Sequence, residues 1–256
     1  MSLNYVSYWE TAVGQCMPPW IALALVSLRR ALGERFTLLN PDSVQQRVDP
    51  AILSRTWSFE PLAFSMDKGI EAIVAKSDFI RMAYVHEHGG VWIDADSLLL
   101  RDPTPVLFPR GLGRRLHWHS ECLFAARPGN PLLAEALGAG LARQVHAWGN
   151  PGGIKDIVAR HPQALVPIPA SLFDPGYRPL YNFAGCEVMR RTDIAVEDFL
   201  RRDVSALKLY NTWFKRTAVK EQSVEEFLDG GTLLARLFLH IEKDRGYWLG
   251  ESEGLG

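Results

Sequence analysis

The strongest constraint on the fold is a direct passage from a helix into a strand near the middle of the chain. Apolar residues recur at helical spacing from about Lys68 to His88. Gly89-Gly90 follows and predicts the helix end, because glycine adopts the left-handed C-cap conformation at little cost. The short apolar run Val91-Trp92-Ile93 then predicts a buried strand. A strand entered directly from a helix is typical of a parallel sheet.

The first forty residues show the same alternation. Tyr5 to Trp9 predicts a first strand, and Phe36 to Leu39 predicts a second. Between them, Pro18-Pro19 opens a helix at its first turn and Gly33 closes it. A strand, a helix and a strand in succession are the start of a βαβ unit. Together the two passages predict an α/β fold with one main sheet, mixed and mostly parallel, flanked by helices.

The remaining elements give weaker signals. One domain is expected over 1–249, with a disordered tail over 250–256. The other expected elements are a strand over Leu116 to Phe124, a helix over Pro131 to Trp148, loops over 149–185, and a helical segment that begins at the capping box Ser223-Val224-Glu225-Glu226.

Composition excludes several classes of function. The chain has 256 residues, 47% of them hydrophobic, and a formal net charge of −1, which argues against disorder and against a nucleic-acid partner. Three cysteines, Cys16, Cys122 and Cys186, stand far apart and are expected to be buried in a protein of a reducing compartment. The apolar stretch from Trp20 to Leu28 falls short of the ~20 residues that span a bilayer. We therefore expect a cytoplasmic protein.

Asp94-Ala95-Asp96 follows the predicted strand directly. Residues i and i+2 project the same way from an extended chain, so both carboxylates are expected to converge where the carboxyl ends of parallel strands bind ligands. Paired carboxylates suit Mn²⁺ or Mg²⁺ that also contacts substrate phosphates. A solvated acidic turn is the alternative. Because the pair follows a strand rather than lying in the core, we expect Asp96→Asn to leave the fold intact.

Asp78 and Arg81 stand three residues apart and so share one face of the predicted helix. They form either a local ion pair or a polar clamp, in which Asp78 accepts hydroxyl hydrogens and Arg81 donates from its rigid fork.

The combined pattern closely resembles the sugar-binding DXD region of glycosyltransferase family 32, which includes capsular-polysaccharide-type transferases. It reads Ala75-x-Ser77-Asp78-x-x-Arg81, then Gly89-Gly90-Val91-x-x-Asp94-x-Asp96. The resemblance is strong over 75–96 and looser over about 4–215. It implies a GT-A fold, a single nucleotide-binding domain, and transfer of a sugar from a nucleotide diphosphate sugar to an acceptor hydroxyl with retention. A UDP-sugar such as UDP-galactose or UDP-glucose is favoured over a GDP-sugar, with a glycan or lipid-linked glycan as acceptor.

The resemblance also implies roles for particular residues. Asp78, Arg81, Asp94 and Asp96 would form the catalytic group, in which Asp78 and Arg81 hold donor-sugar hydroxyls and Asp94 and Asp96 hold the ion. Two residues outside the motif complete the set: Trp9 would stack on the nucleobase, and Asn211 would serve as a further metal ligand. No nucleophile or general base is recognisable, so retention suggests front-face attack.

Some alternatives stay open. The chain is either an enzyme of surface-polysaccharide or glycan assembly or a catalytically silent sugar-nucleotide or glycan-binding module; a phosphohydrolase with Asp94 as nucleophile ranks lower. His117 and His119 share a strand face, and Glu121 follows them; each is a weaker candidate for the metal site. The basic region 190–220 is a solvated face or a peripheral landing site at the inner membrane face. Its basic residues are Arg190, Arg191, Arg201, Arg202, Lys208, Lys215, Arg216 and Lys220.

Overall fold

The computed structural model describes residues 3–11, 14–48, 69–143, 153–173, 184–200, 204–214 and 221–255. Within them the chain divides into two compact units, which are treated separately below. Unit 1 comprises 1–15, 35–94 and 108–168, and unit 2 comprises 16–34, 95–107 and 169–256. The expectation of one domain over 1–249 stays a prediction.

Strands are numbered in chain order. Six of them form the sheet of unit 1, in the order β2-β1-β3-β6-β5-β7, and β4 and β8 form a two-stranded sheet in unit 2. Their bounds are β1 Tyr5–Tyr8, β2 Phe36–Leu39, β3 Gly90–Ile93, β4 Ser97–Leu99, β5 Leu116–Ser120, β6 Leu123–Ala126, β7 Leu165–Pro167 and β8 Ala206–Lys208.

Helices of the described residues are likewise numbered in chain order. Two short 3₁₀ turns, Gly33–Arg35 and Pro162–Ala164, accompany them. The bounds are α1 Pro19–Leu32, α2 Pro41–Val44, α3 Gly69–His88, α4 Thr104–Leu107, α5 Pro131–Arg143, α6 Ile154–Arg160, α7 Ala170–Phe173, α8 Ala184–Met189, α9 Val196–Phe199, α10 Asn211–Phe214, α11 Val224–Asp229, α12 Leu233–Ile241 and α13 Arg245–Glu253.

The sheet of unit 1 is mixed and mostly parallel, as the sequence predicts. β1 pairs in parallel with β2 and β3, and β5 pairs in parallel with β7. The β3–β6 and β6–β5 pairs are antiparallel. α3 and α5 pack on each other, and their apolar faces share one core with the sheet. Large members of that core are Phe79, Trp92 and Phe124. The fold is therefore α/β with a helix-flanked sheet.

Gly89 and Gly90 form the junction between α3 and β3 and carry positive φ angles of 69° and 101°. A Cβ at Gly89 would lie 2.6 Å from Pro128 Cδ, and one at Gly90 would lie 2.7 Å from the carbonyl oxygen of Asn4. The junction therefore requires glycine for its backbone conformation and for the close approach of neighbouring chain segments.

Unit 2 is built on α1, which packs against β4, α11 and α13. Trp20 of α1 contacts Phe214 with ring centroids 5.6 Å apart, and Trp248 of α13 contacts Phe238 at 5.5 Å. The predicted capping box is confirmed at the start of α11, because the Ser223 side chain accepts from the N–H of Glu226 and the Glu226 side chain accepts from the N–H of Ser223.

Several predicted elements need correction. Leu116 to Phe124 is not one strand: the chain turns at Glu121-Cys122, so β5 and β6 form a hairpin. The segment 149–185 contains α6, β7 and α7 among its described residues, and the helix predicted over Pro131 to Trp148 has its last five residues outside the described part. The C-terminal segment breaks at Gly230-Gly231 into two helices. α13 continues to Glu253, where a disordered tail was expected from Gly250.

The cysteines also differ from expectation. Cys16, which precedes α1, is exposed, and Cys122, in the β5–β6 turn, is half-buried. The side chain of Cys186 lies outside the described residues. Neither described cysteine is thus a buried core residue.

Candidate active site

The site begins where β3 ends. Asp94 follows Ile93, and its backbone N–H donates to the carbonyl of Cys122 at 2.9 Å, which extends the pairing of β3 with the β5–β6 hairpin by one residue. The indole N–H of Trp92 donates to Asp94 Oδ1 at 2.8 Å. The carboxylate of Asp94 is thereby held by its own strand.

Arg81, on α3, contacts two acidic residues of the motif, Asp78 and Asp94. Its Nη2 lies 2.9 Å from Asp78 Oδ1, and its Nη1 lies 3.6 Å from Asp94 Oδ1. The predicted ion pair between Asp78 and Arg81 is therefore present. Asp78, Arg81 and Asp94 come from a helix and the end of a strand, and they form one charged cluster.

The guanidinium of Arg81 is buried, with 8% of the residue exposed, and it makes further contacts with the protein. Nη1 donates to the carbonyl oxygen of Glu121 at 2.8 Å, and Nε donates to the carbonyl oxygen of Ser77 at 3.4 Å. Its Cζ lies 5.5 Å from the centre of the Trp92 ring, a cation–π distance. The fork of Arg81 is therefore committed to protein groups on several sides.

Charge balance explains why a buried arginine is tolerated here. Burial alone would lower the pKa of Arg81, but the carboxylates of Asp94 and Asp78 outweigh it, so this pKa lies above its usual value. Arg81 is thus fixed as a cation between two carboxylates.

Glu121 lies beside the same cluster through its backbone. Its carboxylate points to Lys155 of α6, with Oε1 3.2 Å from Nζ. Sequence reasoning placed Glu121 near the site, and the structure brings its carbonyl there, while the carboxylate pairs with a lysine.

Asp96, the second motif aspartate, lies in unit 2 and has a different set of partners. Its Oδ1 accepts from the ammonium of Lys208, and its Oδ2 accepts from the backbone N–H of Asn211 at 2.8 Å. Its backbone carbonyl accepts from the N–H of Leu209 at 2.8 Å. The end of β8 therefore surrounds Asp96. The reason given for expecting an intact fold in Asp96→Asn is therefore wrong, because Asp96 is only 8% exposed and carries a buried ion pair.

Asn211, the predicted further metal ligand, lies next to Asp96, and its role as a ligand stays a prediction. Its side-chain Oδ1 accepts from the indole N–H of Trp20 at 3.1 Å, and only its backbone N–H contacts Asp96. The preceding residue, Tyr210, has a positive φ of 51°, which is uncommon for a bulky side chain. This backbone conformation starts α10 and directs the N–H of Asn211 to the carboxylate.

The geometry of the motif itself also differs from expectation. β3 ends at Ile93, and Ala95 and Asp96 lie in a turn before β4. Strand alternation therefore does not continue from Asp94 to Asp96, and each carboxylate is held by its own partners.

The residues present do not fit a divalent ion at Asp96. A cation would need a carboxylate oxygen, yet Oδ1 holds the Lys208 ammonium and Oδ2 holds a backbone N–H. Among the described residues, no group of three or more His, Cys, Asp or Glu side chains is placed to hold a metal. The weaker candidates His117 and His119 are placed otherwise: His117 packs edge-on against Phe108, and His119 Nδ1 contacts the Ser120 hydroxyl at 2.8 Å.

Trp9 lies at the carboxyl end of β1, as predicted, and is half-buried. Its indole N–H donates to the hydroxyl of Thr11 at 3.0 Å. The neighbouring Glu10 pairs with Lys76 of α3 at 2.8 Å and accepts from the Tyr8 hydroxyl at 2.5 Å. The end of β1 is therefore polar and partly open around Trp9.

Three basic residues of the region 190–220 are described, and two of them lie on the surface beside acidic residues, as a solvated face would have them. Arg190 and Arg191 pair with Glu187 and Asp193, whereas Lys208 is buried. Arg201, Arg202, Lys215, Arg216 and Lys220 lie outside the described residues. In the part of the chain that the structure describes, no helix has the length and apolar character needed to cross a bilayer. A peripheral membrane contact stays a prediction.

One partner of a motif aspartate in each unit was not predicted from the sequence: Trp92, which contacts Asp94, and Lys208, which contacts Asp96. Trp92 stands two residues before Asp94, so the two side chains point to the same side of an extended chain, and this signal was available in the sequence. Lys208 was counted as surface charge. Its position inside the apolar run Val204 to Leu209 was the available signal, because a lysine among buried residues is rarely found without a partner.

Comparison with known proteins agrees with the motif. Residues 37–110 match a family model described as a glycosyltransferase sugar-binding region containing a DXD motif. This segment contains Asp78, Arg81, Asp94 and Asp96. No curated protein matches the chain.

Among solved structures, the chain is similar to one titled "PaToxG Glycosyltransferase". The TM-score is 0.45 at 10% sequence identity, and the match covers 63% of this chain and 70% of that chain. The family match alone makes residues 37–110 glycosyltransferase-like, with a DXD-type sugar-binding region.

Proposed function

We propose that this chain is a glycosyltransferase that moves a hexose from a nucleoside diphosphate sugar to a hydroxyl group of a glycan or lipid-linked glycan. The observation that carries the proposal is the cluster at the end of β3. Asp78, Arg81 and Asp94 meet there through contacts of 2.9 Å and 3.6 Å. These three residues also belong to the segment that matches the sugar-binding region.

The proposed donor, stereochemistry and biological setting follow from the resemblance to family 32. A UDP-sugar, such as UDP-galactose or UDP-glucose, is the proposed donor, and the product is proposed to retain the anomeric configuration. Surface-polysaccharide or other glycan assembly is the proposed setting. Trp9 is proposed to stack on the nucleobase, since it is half-buried at the carboxyl end of β1.

The proposed reaction forms a bond between the acceptor oxygen and the anomeric carbon of the donor. It breaks the bond between that carbon and the diphosphate oxygen. The hydroxyl proton passes to the departing phosphate, and attack from the same face as departure accounts for retention without an enzyme nucleophile. Since the donor set at Asp96 does not fit a divalent ion, no step is assigned to Mn²⁺ or Mg²⁺.

Within this proposal the cluster residues have distinct roles. Asp78 accepts a hydrogen bond from a donor-sugar hydroxyl, because a carboxylate accepts at several sites while one oxygen stays on Arg81. Arg81 is a positioning residue rather than a substrate contact, because its donors are committed to Asp78, Glu121 and Ser77. Asp94 supplies negative charge that keeps Arg81 in place.

A donor panel tests the proposal. Release of nucleoside diphosphate is measured for UDP- and GDP-sugars, with Mn²⁺ and with EDTA, in the presence of glycan acceptors. Asp94→Asn retains an oxygen for the Trp92 N–H but removes the charge opposite Arg81, so we expect release to fall about 100-fold or more. Asp229→Asn is the matched control, since it neutralises a carboxylate that is 58% exposed and paired with Arg245.

Two results would contradict the proposal. Equal release by wild type and Asp94→Asn would separate the cluster from turnover. Saturable binding of a donor, without release of nucleoside diphosphate in the presence of any acceptor, would favour the alternative, a silent sugar-nucleotide-binding module.

A further inference from the structure

We infer that Lys208 is the resident cation of the motif aspartate Asp96, so that a lysine ammonium occupies the position where the DXD resemblance predicts a divalent ion. The inference concerns unit 2 and rests on contacts among its described residues.

Both oxygens of the Asp96 carboxylate already have a donor. Oδ1 accepts from the Lys208 ammonium and Oδ2 accepts from the N–H of Asn211. Manganese and magnesium bind carboxylates through these same oxygen atoms. An ion at Asp96 would therefore either displace Lys208 or share the carboxylate with its ammonium.

Asp96 and Lys208 are both buried. Asp96 is 8% exposed and Lys208 is 7% exposed. A divalent ion beside the ammonium would place like charges together in a poorly solvated region, where their repulsion is large. An ion that displaced Lys208 would leave the ammonium without its counter-charge. Both alternatives oppose ion binding.

The backbone around Asp96 supports the same arrangement. Lys208 stands opposite Ser97 in the β4–β8 pair, and Ser97 directly follows Asp96 in the chain. Leu209 donates to the carbonyl of Asp96, and the positive φ of Tyr210 then turns the chain so that Asn211 also donates to Asp96. A strained residue at this position persists only where the surrounding structure requires it.

A consequence rests on the proposed function. If the chain transfers sugars, the cation at the second motif aspartate is an ammonium group that chelators do not remove. Nucleoside diphosphate release is then expected to be the same in EDTA and in Mn²⁺.

The direct test does not depend on activity. Binding of Mn²⁺ to the full chain is titrated by the loss of the electron paramagnetic resonance signal of the free aqueous ion. The variants are Asp96→Asn, the double variant Asp96→Asn/Lys208→Met, and Lys208→Met, which keeps the length of the side chain but removes the charge. Lys76→Met is the matched control, because it removes a lysine from another partly buried ion pair, with Glu10.

We expect wild type and Lys76→Met to show no binding that depends on Asp96. Lys208→Met is expected to bind Mn²⁺ at least tenfold more tightly than wild type, and the double variant is expected to lose this gain. Should Lys208→Met fail to fold, Lys208→Gln replaces it, since its amide still donates a hydrogen bond to Oδ1.

Two results would overturn the inference. One is Mn²⁺ binding by wild type that disappears in Asp96→Asn, because the ion and Lys208 would then not compete. The other is no gain of binding in either neutral variant, because Asp96 would then not be a cation site. If the donor panel shows release, inhibition by EDTA together with Mn²⁺ binding that depends on Asp96 overturns the inference and leaves the glycosyltransferase proposal intact. No release from any donor removes that proposal and leaves the Mn²⁺ titration decisive.

Discussion

Two buried cations, Arg81 and Lys208, organise the acidic residues of the DXD segment. Arg81 holds Asp78 and Asp94 in unit 1, and Lys208 holds Asp96 in unit 2. Breaking a buried ion pair by removing one partner costs more than removing both, because the remaining charge stays desolvated. Each pair therefore predicts a particular response to mutation.

Arg81→Lys is expected to reduce kcat more than it raises the KM for the donor. The single ammonium of a lysine cannot replace the three guanidinium nitrogens that contact Asp78, Glu121 and Ser77. Asp78 therefore loses the contact that orients its carboxylate. Steady-state kinetics with the donor identified by the panel measures the split. A rise in KM alone would instead indicate that Arg81 contacts the donor directly. A Tm loss without any kinetic change would make the residue purely structural.

Asp96→Asn is expected to lower the free energy of unfolding by about 3–5 kcal/mol, the usual cost of leaving a buried charge without its partner. The loss of unfolding free energy in Asp96→Asn/Lys208→Met is expected to be smaller than the sum of the losses in the two single variants, because neither buried charge remains. Urea denaturation of the four proteins of this cycle gives the coupling energy. Asp229→Asn, in the exposed pair with Arg245, should cost less than about 1 kcal/mol. Additive single-variant costs would show that Lys208 and Asp96 do not interact in solution.

At the scale of elements, the junction between α3 and β3 places the cluster. Gly89 and Gly90 let the helix that carries Asp78 and Arg81 pass directly into the strand that precedes Asp94. The sequence predicted both elements and their connection correctly, since the helical period and the glycine pair are local signals. The β5–β6 hairpin was not predicted, because its turn residues Glu121-Cys122 carry no turn signature.

Gly90→Ala is expected to destabilise the protein by about 1–3 kcal/mol from the positive φ alone, with a further cost from the contact of the new Cβ with Asn4. Gly138→Ala is the control: it lies within α5, where a Cβ meets no atom within 4 Å, and it should stabilise by about 0.5–1 kcal/mol. Thermal unfolding of both variants checks the pair. Equal Tm values for the two variants would contradict the close packing at Asn4.

For the whole molecule, charge is nearly balanced, with 28 basic and 29 acidic residues and a pI near 6.7. Little net repulsion separates copies near neutral pH, so solubility is expected to be lowest close to pH 6.7 and to rise on either side. Precipitation at fixed protein concentration from pH 5.5 to 8.5 measures this. A solubility that falls steadily across that range would show that local charge patterns, rather than net charge, control association.

The sequence by itself determined the α/β class, the order of the N-terminal strands and helices, and the spacing that joins Asp78 and Arg81 on one helix face. These depend on residues close together in the chain, where period and glycine position act directly. Only the tertiary structure decided the partners of each carboxylate. Lys208 reaches Asp96 from 112 positions away in the sequence, and Glu121 reaches Arg81 from 40 positions away. Such contacts depend on how strands pair across the fold, and no local pattern encodes them. Whether a buried lysine or a metal ion balances a motif aspartate therefore follows from strand pairing and burial rather than from the motif itself.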